Sequence, residues 1–203
     1  YGLRMNSGNA ADLAAIVQSP NRTSAVTVDV TSAARSTLVD IQSAADALDV
    51  ALGGTYTAAA NSINYSVVQL RPAAVNARLG LRTGAGTDNI EMKFDGETSR
   101  LALGGFVETG GGNDVVKIES NMRTSATAAI DVGPGNDIAE MFFKTPVFFP
   151  LAGLARILGG DGNDEIRLIP EQGFSGQRPT INCGPGFDSA NAVGVILNCE
   201  TRN

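Results

Sequence analysis

A five-residue pattern, Gly-x-Gly-x-Asp, returns five times along this 203-residue chain. The copies are Gly84-Ala-Gly86-Thr-Asp88, Gly110-Gly-Gly112-Asn-Asp114, Gly133-Pro-Gly135-Asn-Asp137, Gly160-Asp-Gly162-Asn-Asp164 and Gly184-Pro-Gly186-Phe-Asp188. Successive Asp residues are 26, 23, 27 and 24 positions apart. A short alternating run follows each of the first four, from Asn89-Ile-Glu-Met92 to Glu165-Ile-Arg-Leu168, with small or apolar residues on one face of a strand. Runs such as Ala77–Leu81 and Leu154–Leu158 precede some of the turns. The unit therefore reads strand, glycine turn, strand, looser connection. A period near 25 residues leaves no room for helical crossovers. It suits a solenoid, with each strand paired to its equivalent one coil on and the turns stacked along one edge. The expected fold is an all-β parallel β-solenoid.

Upstream the pattern fades. Asn64 lies 24 residues before Asp88 and Asp40 lies 24 before Asn64, each followed by strand-like residues but lacking the paired glycines. The stretch 9–18 has helical composition with Asn9 as its N-cap, and a short helix there would cover the open end of the core. For Ala44–Leu52 a helix remains open as well. The expected organisation is an N-terminal cap with a short helix over 1–35, degenerate coils over 36–83, and glycine-turn coils with a disulfide-closed cap over 84–203.

Composition narrows the chemistry. Histidine is absent, which excludes Ser-His-Asp and Cys-His catalysis and imidazole zinc sites. Residues 1–83 carry a formal charge of +1 and residues 84–203 carry −7. An acidic C-terminal part with no basic run argues against nucleic acid and is compatible with cations. No apolar run reaches the ~18 residues of a membrane span. Cys183 and Cys199 are the only cysteines, and a disulfide between them implies an extracellular setting. Two separate buried thiols are the alternative. A chain that begins at Tyr1, with no leader-like segment, reads as a mature secreted protein.

Two glycines flanking one residue let carbonyl oxygens turn toward a common point, and the Asp adds a carboxylate at a fixed offset. Calcium takes six to eight oxygens, which two stacked turns can assemble, with at most four such sites between Asp88 and Asp188. Aligned carboxylates without a cation would repel one another. The pattern resembles the RTX, or haemolysin-type, calcium-binding repeat Gly-Gly-x-Gly-x-Asp-x-U-x. The resemblance covers roughly residues 80–190. It implies calcium sandwiched between turns, with Asp88, Asp114, Asp137, Asp164 and Asp188 as carboxylate ligands. Carbonyls would come from the turns of Gly84, Gly86, Gly110, Gly112, Gly133, Gly135, Gly160, Gly162, Gly184 and Gly186. This chain differs in having one such turn per coil of 23–27 residues rather than a repeat of nine. The alternative is that Gly-Asn-Asp is turn chemistry alone.

Other features point less far. Met141–Pro150 holds four of the eight phenylalanines and reads as a satellite core under a loop or, if exposed, a partner surface. Asp95, Glu97, Glu119, Asp131 and Glu171 are the carboxylates available to a glycosidase-like pair, with no spacing that marks them. The residues between the turn glycines form no Thr ladder, so an ice-binding reading fails. The expectation is a secreted, calcium-binding solenoid, not an enzyme, with a structural, adhesive or self-assembling role. Copies would join through the solenoid ends or residues 141–150 as a homo-oligomer. The alternative is an extracellular carbohydrate-active module that binds or cleaves a glycan.

Overall fold

The computed structural model describes residues 2–7, 13–19, 23–32, 36–96, 98–150 and 155–202. Over these residues the chain is an all-β parallel solenoid. In chain order the first strands are β1 (Gly2–Ser7), β2 (Leu13–Ser19), β3 (Thr23–Ser32), β4 (Ser36–Ser43), β5 (Ala47–Tyr56), β6 (Ser62–Gln69), β7 (Ala74–Thr83), β8 (Asn89–Asp95) and β9 (Arg100–Glu108). Next come β10 (Val115–Ser120), β11 (Arg123–Ala126), β12 (Ala129–Asp131), β13 (Ile138–Phe143), β14 (Val147–Phe149), β15 (Arg156–Leu158) and β16 (Glu165–Pro170). The last are β17 (Phe174–Gly176), β18 (Thr180–Asn182), β19 (Ser189–Ala192), β20 (Val195–Leu197) and β21 (Thr201–Arg202).

The chain alternates between two sheets. The first stacks β1-β3-β5-β7-β9-β12-β15-β18-β20, and the second stacks β2-β4-β6-β8-β10-β13-β16-β19-β21. From β9 onward the first-sheet strand is split in two, so β11, β14 and β17 pair among themselves and with β9. The split follows Gly104-Gly105, where Gly105 has φ +100°, a conformation that interrupts a regular strand.

Alternation explains the strands. On the second sheet Ile63, Ile90, Val116, Ala139, Ile166 and Ala190 form one inward column, in register from coil to coil and fully buried. The first sheet answers with Val50, Ala77, Leu103 and their neighbours. Stacking like on like gives one continuous core between the sheets.

Two expectations change, and one alternative left open is closed. The helix expected over 9–18 is not seen where the structure describes that segment: residues 13–19 are strand β2, paired with β4, and 9–12 lie outside the described residues. Residues 47–56 are also strand, with Leu48, Val50 and Leu52 buried. At both places parallel pairing overrides the helical propensity of alanine. Nor is 141–150 a satellite core. Phe143 and Phe149 belong to the main core and meet edge to face at 6.4 Å, with a turn at Lys144–Pro146 between β13 and β14.

Cys183 and Cys199 are disulfide-bonded, with Cα atoms 5.3 Å apart. Closing a loop of this size stabilises the fold by roughly 3 kcal/mol on the chain-entropy model. No helix among the described residues is long and apolar enough to cross a membrane.

Candidate functional site

The five glycine turns stack along one edge of the solenoid, each joining a first-sheet strand to a second-sheet strand. Each letter of the pattern has a separate physical cause. The first glycine lies against the backbone of the preceding coil: a Cβ on Gly110 would come within 2.2 Å of the Gly84 oxygen. The middle residue supplies a carbonyl. Gly86, Gly112, Gly135 and Gly162 donate their N–H groups to Gly111, Pro134, Asp161 and Pro185 one coil on, at 2.6–2.9 Å. The second glycine is doubly constrained, as at Gly162, where φ is +142° and a Cβ would sit 1.4 Å from the Gly135 oxygen.

Asparagine at the fourth position builds an outer ladder. The side-chain oxygens of Asn113, Asn136 and Asn163 accept the N–H groups of Asn136, Asn163 and Phe187, each at 2.9 Å. The aspartates build an inner one. The Oδ1 atoms of Asp88, Asp114, Asp137, Asp164 and Asp188 accept the N–H groups of Asn61, Asp88, Asp114, Asp137 and Asp164, at 2.7–2.9 Å. At one end Asn61 also donates its side-chain amide to Asp88 at 2.6 Å. At the other, Asp188 donates its N–H to Oε2 of Glu200 at 2.6 Å.

The five predicted Asp residues are thus brought together, the fifth included, in one continuous stack. Asn64 and Asp40 are not part of it. Asn64 stands opposite Glu91 on β6 and Asp40 opposite Ser66 on β4. The register equivalent of Asp88 is Asn61, just before the Ser62–Asn89 pair. Sequence reasoning missed Asn61 because it counted a uniform 24-residue step where the loop adds three residues. It missed Glu200 because the last coil is shortened and carries no glycine turn.

Electrostatics sets this stack apart from ordinary turns. All five Asp side chains are buried, at 3% exposure or less, and every Oδ2 lacks a hydrogen-bond partner. Burial pushes the Asp137 carboxyl up to about 7, with the charges of Asp114 and Asp164 adding to the shift and the bond from the Asp114 N–H opposing it. Burial likewise raises Asp114 and Asp164. At Asp114, Asp137 and Asp164 this burial favours the neutral carboxyl, and a cation beside the unpartnered oxygen would favour the charged form.

The donors are all oxygen, the chemistry of a hard cation such as calcium. Among the described residues no three His, Cys, Asp or Glu side chains gather at one point. An ion held here would use two neighbouring Asp carboxylates and complete its shell from glycine-turn carbonyls. In chemical kind, the residues fit calcium.

The carboxylates considered for catalysis are dispersed. Asp95 and Glu119 lie on the outer face of the second sheet, Asp95 accepting from the Asn121 amide and Glu119 ion-paired to Lys144. Asp131 is on the first sheet, and Glu171 is exposed in the turn after β16. Glu97 lies outside the described residues. No family model, curated protein or solved structure matches the chain.

Proposed function

We propose that this chain is an extracellular β-solenoid stiffened by calcium between its stacked turns, serving as a rigid structural or adhesive module. The observation that carries the reading is the row of five buried Oδ2 atoms without partners. Each repeats an unpartnered carboxylate oxygen one coil further along, and a divalent cation between neighbours would satisfy two at once. The disulfide suits an oxidising medium, where calcium is also plentiful.

Metal that binds only the folded chain stabilises it by mass action, about 2.7 kcal/mol per site at a hundredfold excess over Kd. The test is calorimetric titration with calcium and with magnesium, together with thermal melts in calcium and in chelator. Saturable calcium binding and a rise in Tm that is reduced in Asp114→Asn/Asp137→Asn support the reading. Coincident melts with no heat of binding would overturn it and leave the stack as turn chemistry.

A further inference from the structure

The two outer faces of the solenoid treat their charges differently. On the second sheet, Glu91, Lys117, Glu140 and Arg167 occupy one column in register, alternating in sign from strand to strand. Arg167 reaches both Glu140 at 3.7 Å and Glu165 at 2.5 Å. That face neutralises itself, as opposite charges across strands do.

The first sheet does the reverse. Arg100 and Arg123 are register partners on β9 and β11, a like-charge juxtaposition that costs stability. Arg78, on β7, is paired with Gly104. All three are exposed, and none has an ion-pair partner among the described residues. Arg82 is different, being paired to Glu108 at 2.6 Å and lying over the Phe106 ring at 4.8 Å. Asp49 and Asp29 share neighbouring hollows of this face with Arg78, whereas no acid lines the hollow edged by Arg100 and Arg123; Asp131 stands beside a glycine turn.

The arginines border a trough. One part, about 480 Å³, is floored by Ala102, Gly104 and Ser125 and edged by Arg78 and Phe106. A contiguous part, about 750 Å³, is edged by Arg100, Arg123 and Phe148, the last a ring that is 48% exposed. Asn76 and Ser125 line both parts. The first part lies beside the second, further along β7 and β9. The second crosses β7, β9, β11, β14 and β17 and so runs along the solenoid axis, with a repeat of one strand spacing, ~4.8 Å. That spacing is close to the length of one pyranose in an extended chain.

We propose that this trough binds a linear acidic glycan, whose carboxylate or sulfate groups pair with Arg100 and Arg123 while a sugar ring stacks on Phe148. Guanidinium forks match planar carboxylates two hydrogen bonds at a time. Small floor residues admit a flat ring, and the Asn76 amide and Ser125 hydroxyl suit sugar hydroxyls. A nucleic acid fits less well, because a chain of net charge −6 offers only these few cations to a phosphate at every step.

The test is binding of the intact chain to immobilised polygalacturonate, dextran sulfate, neutral dextran and single-stranded DNA. The variants are Arg100→Ala/Arg123→Ala, Arg100→Lys/Arg123→Lys, Phe148→Ala, and Lys117→Ala on the opposite face, each checked for an unchanged melt. The expected result is binding to one or both acidic glycans, weakened at least tenfold by the double alanine variant and by Phe148→Ala. The lysine pair should give an intermediate loss, and Lys117→Ala a change within twofold. Equal binding to neutral dextran, tighter binding to DNA, equal loss in Lys117→Ala, or no glycan binding would overturn the proposal.

Discussion

Replacing Asp137 by Asn separates its two oxygens. Oδ1 accepts the Asp114 N–H at 2.7 Å, a role the amide oxygen of Asn keeps. Oδ2 is buried without a partner, and there the substitution removes a charge. With the folded pKa raised from 3.8 to about 7, the folded state holds a proton that the unfolded chain has already released between those values. Stability of the metal-free protein therefore falls as pH rises from about 4 through 7, with Asp114 and Asp164 acting in the same direction. The raised pKa corresponds to ~4 kcal/mol against the charged form well above pH 7, an upper bound for a stack at the coil edge, where water screens it. The new amide N–H has no assigned acceptor and costs about 1 kcal/mol or more. In chelator at pH 8, Asp137→Asn should thus be more stable than the parent by ~2 kcal/mol, or about 4–8 °C in Tm. At pH 5 the advantage should vanish, and in millimolar calcium the order should reverse. Melts followed by circular dichroism under the three conditions make the check. A variant that melts below the parent in chelator at pH 8 would refute the reasoning, since Oδ2 could not then be an uncompensated charge.

Two further outcomes follow from the stack. Gly162→Ala places a Cβ 1.4 Å from the Gly135 oxygen at φ +142°, so it should cost ~3 kcal/mol or more in a denaturant titration. Gly80→Ala, with nothing within 4 Å, should be neutral or slightly stabilising. Glu200→Ala deprives the Asp188 N–H of its acceptor and should cost about 1–3 kcal/mol in the same titration. Glu200→Gln, which keeps an oxygen there, should cost little.

Much of this was legible in the residues. Spacing alone placed the five turns on one edge, because a side-chain period of two and a coil period near 25 admit few other packings. The strands of the N-terminal part were harder to read, since alanine-rich segments such as Ala44–Leu52 favour helix locally and become strand only when a neighbouring coil offers its edge. Asn61 was hidden by loop length: a residue's place in a solenoid follows from strand register, which insertions in the connections displace without changing the fold. The arginine face escaped for a related reason. Arg100 and Arg123 are separated by 23 residues, so no local window shows a basic run, and only the winding of the chain makes them register partners. Which oxygens of the Asp stack are used and which are left over is a matter of three-dimensional pairing that no spacing reports.

The inner ladder has a direction. Each Asp N–H is received by the carboxylate of the coil that follows, never by the one before. A chain wound up from its N-terminal side would always present one unmet donor at its advancing edge. Every added coil heals the previous edge and opens a new one, until Glu200 supplies an acceptor from outside the repeat. The stack thus behaves like a zipper with a stop at one end. Losing a coil from the Glu200 side exposes a bare amide, whereas losing one from the Asn61 side exposes a carboxylate that water can solvate at once.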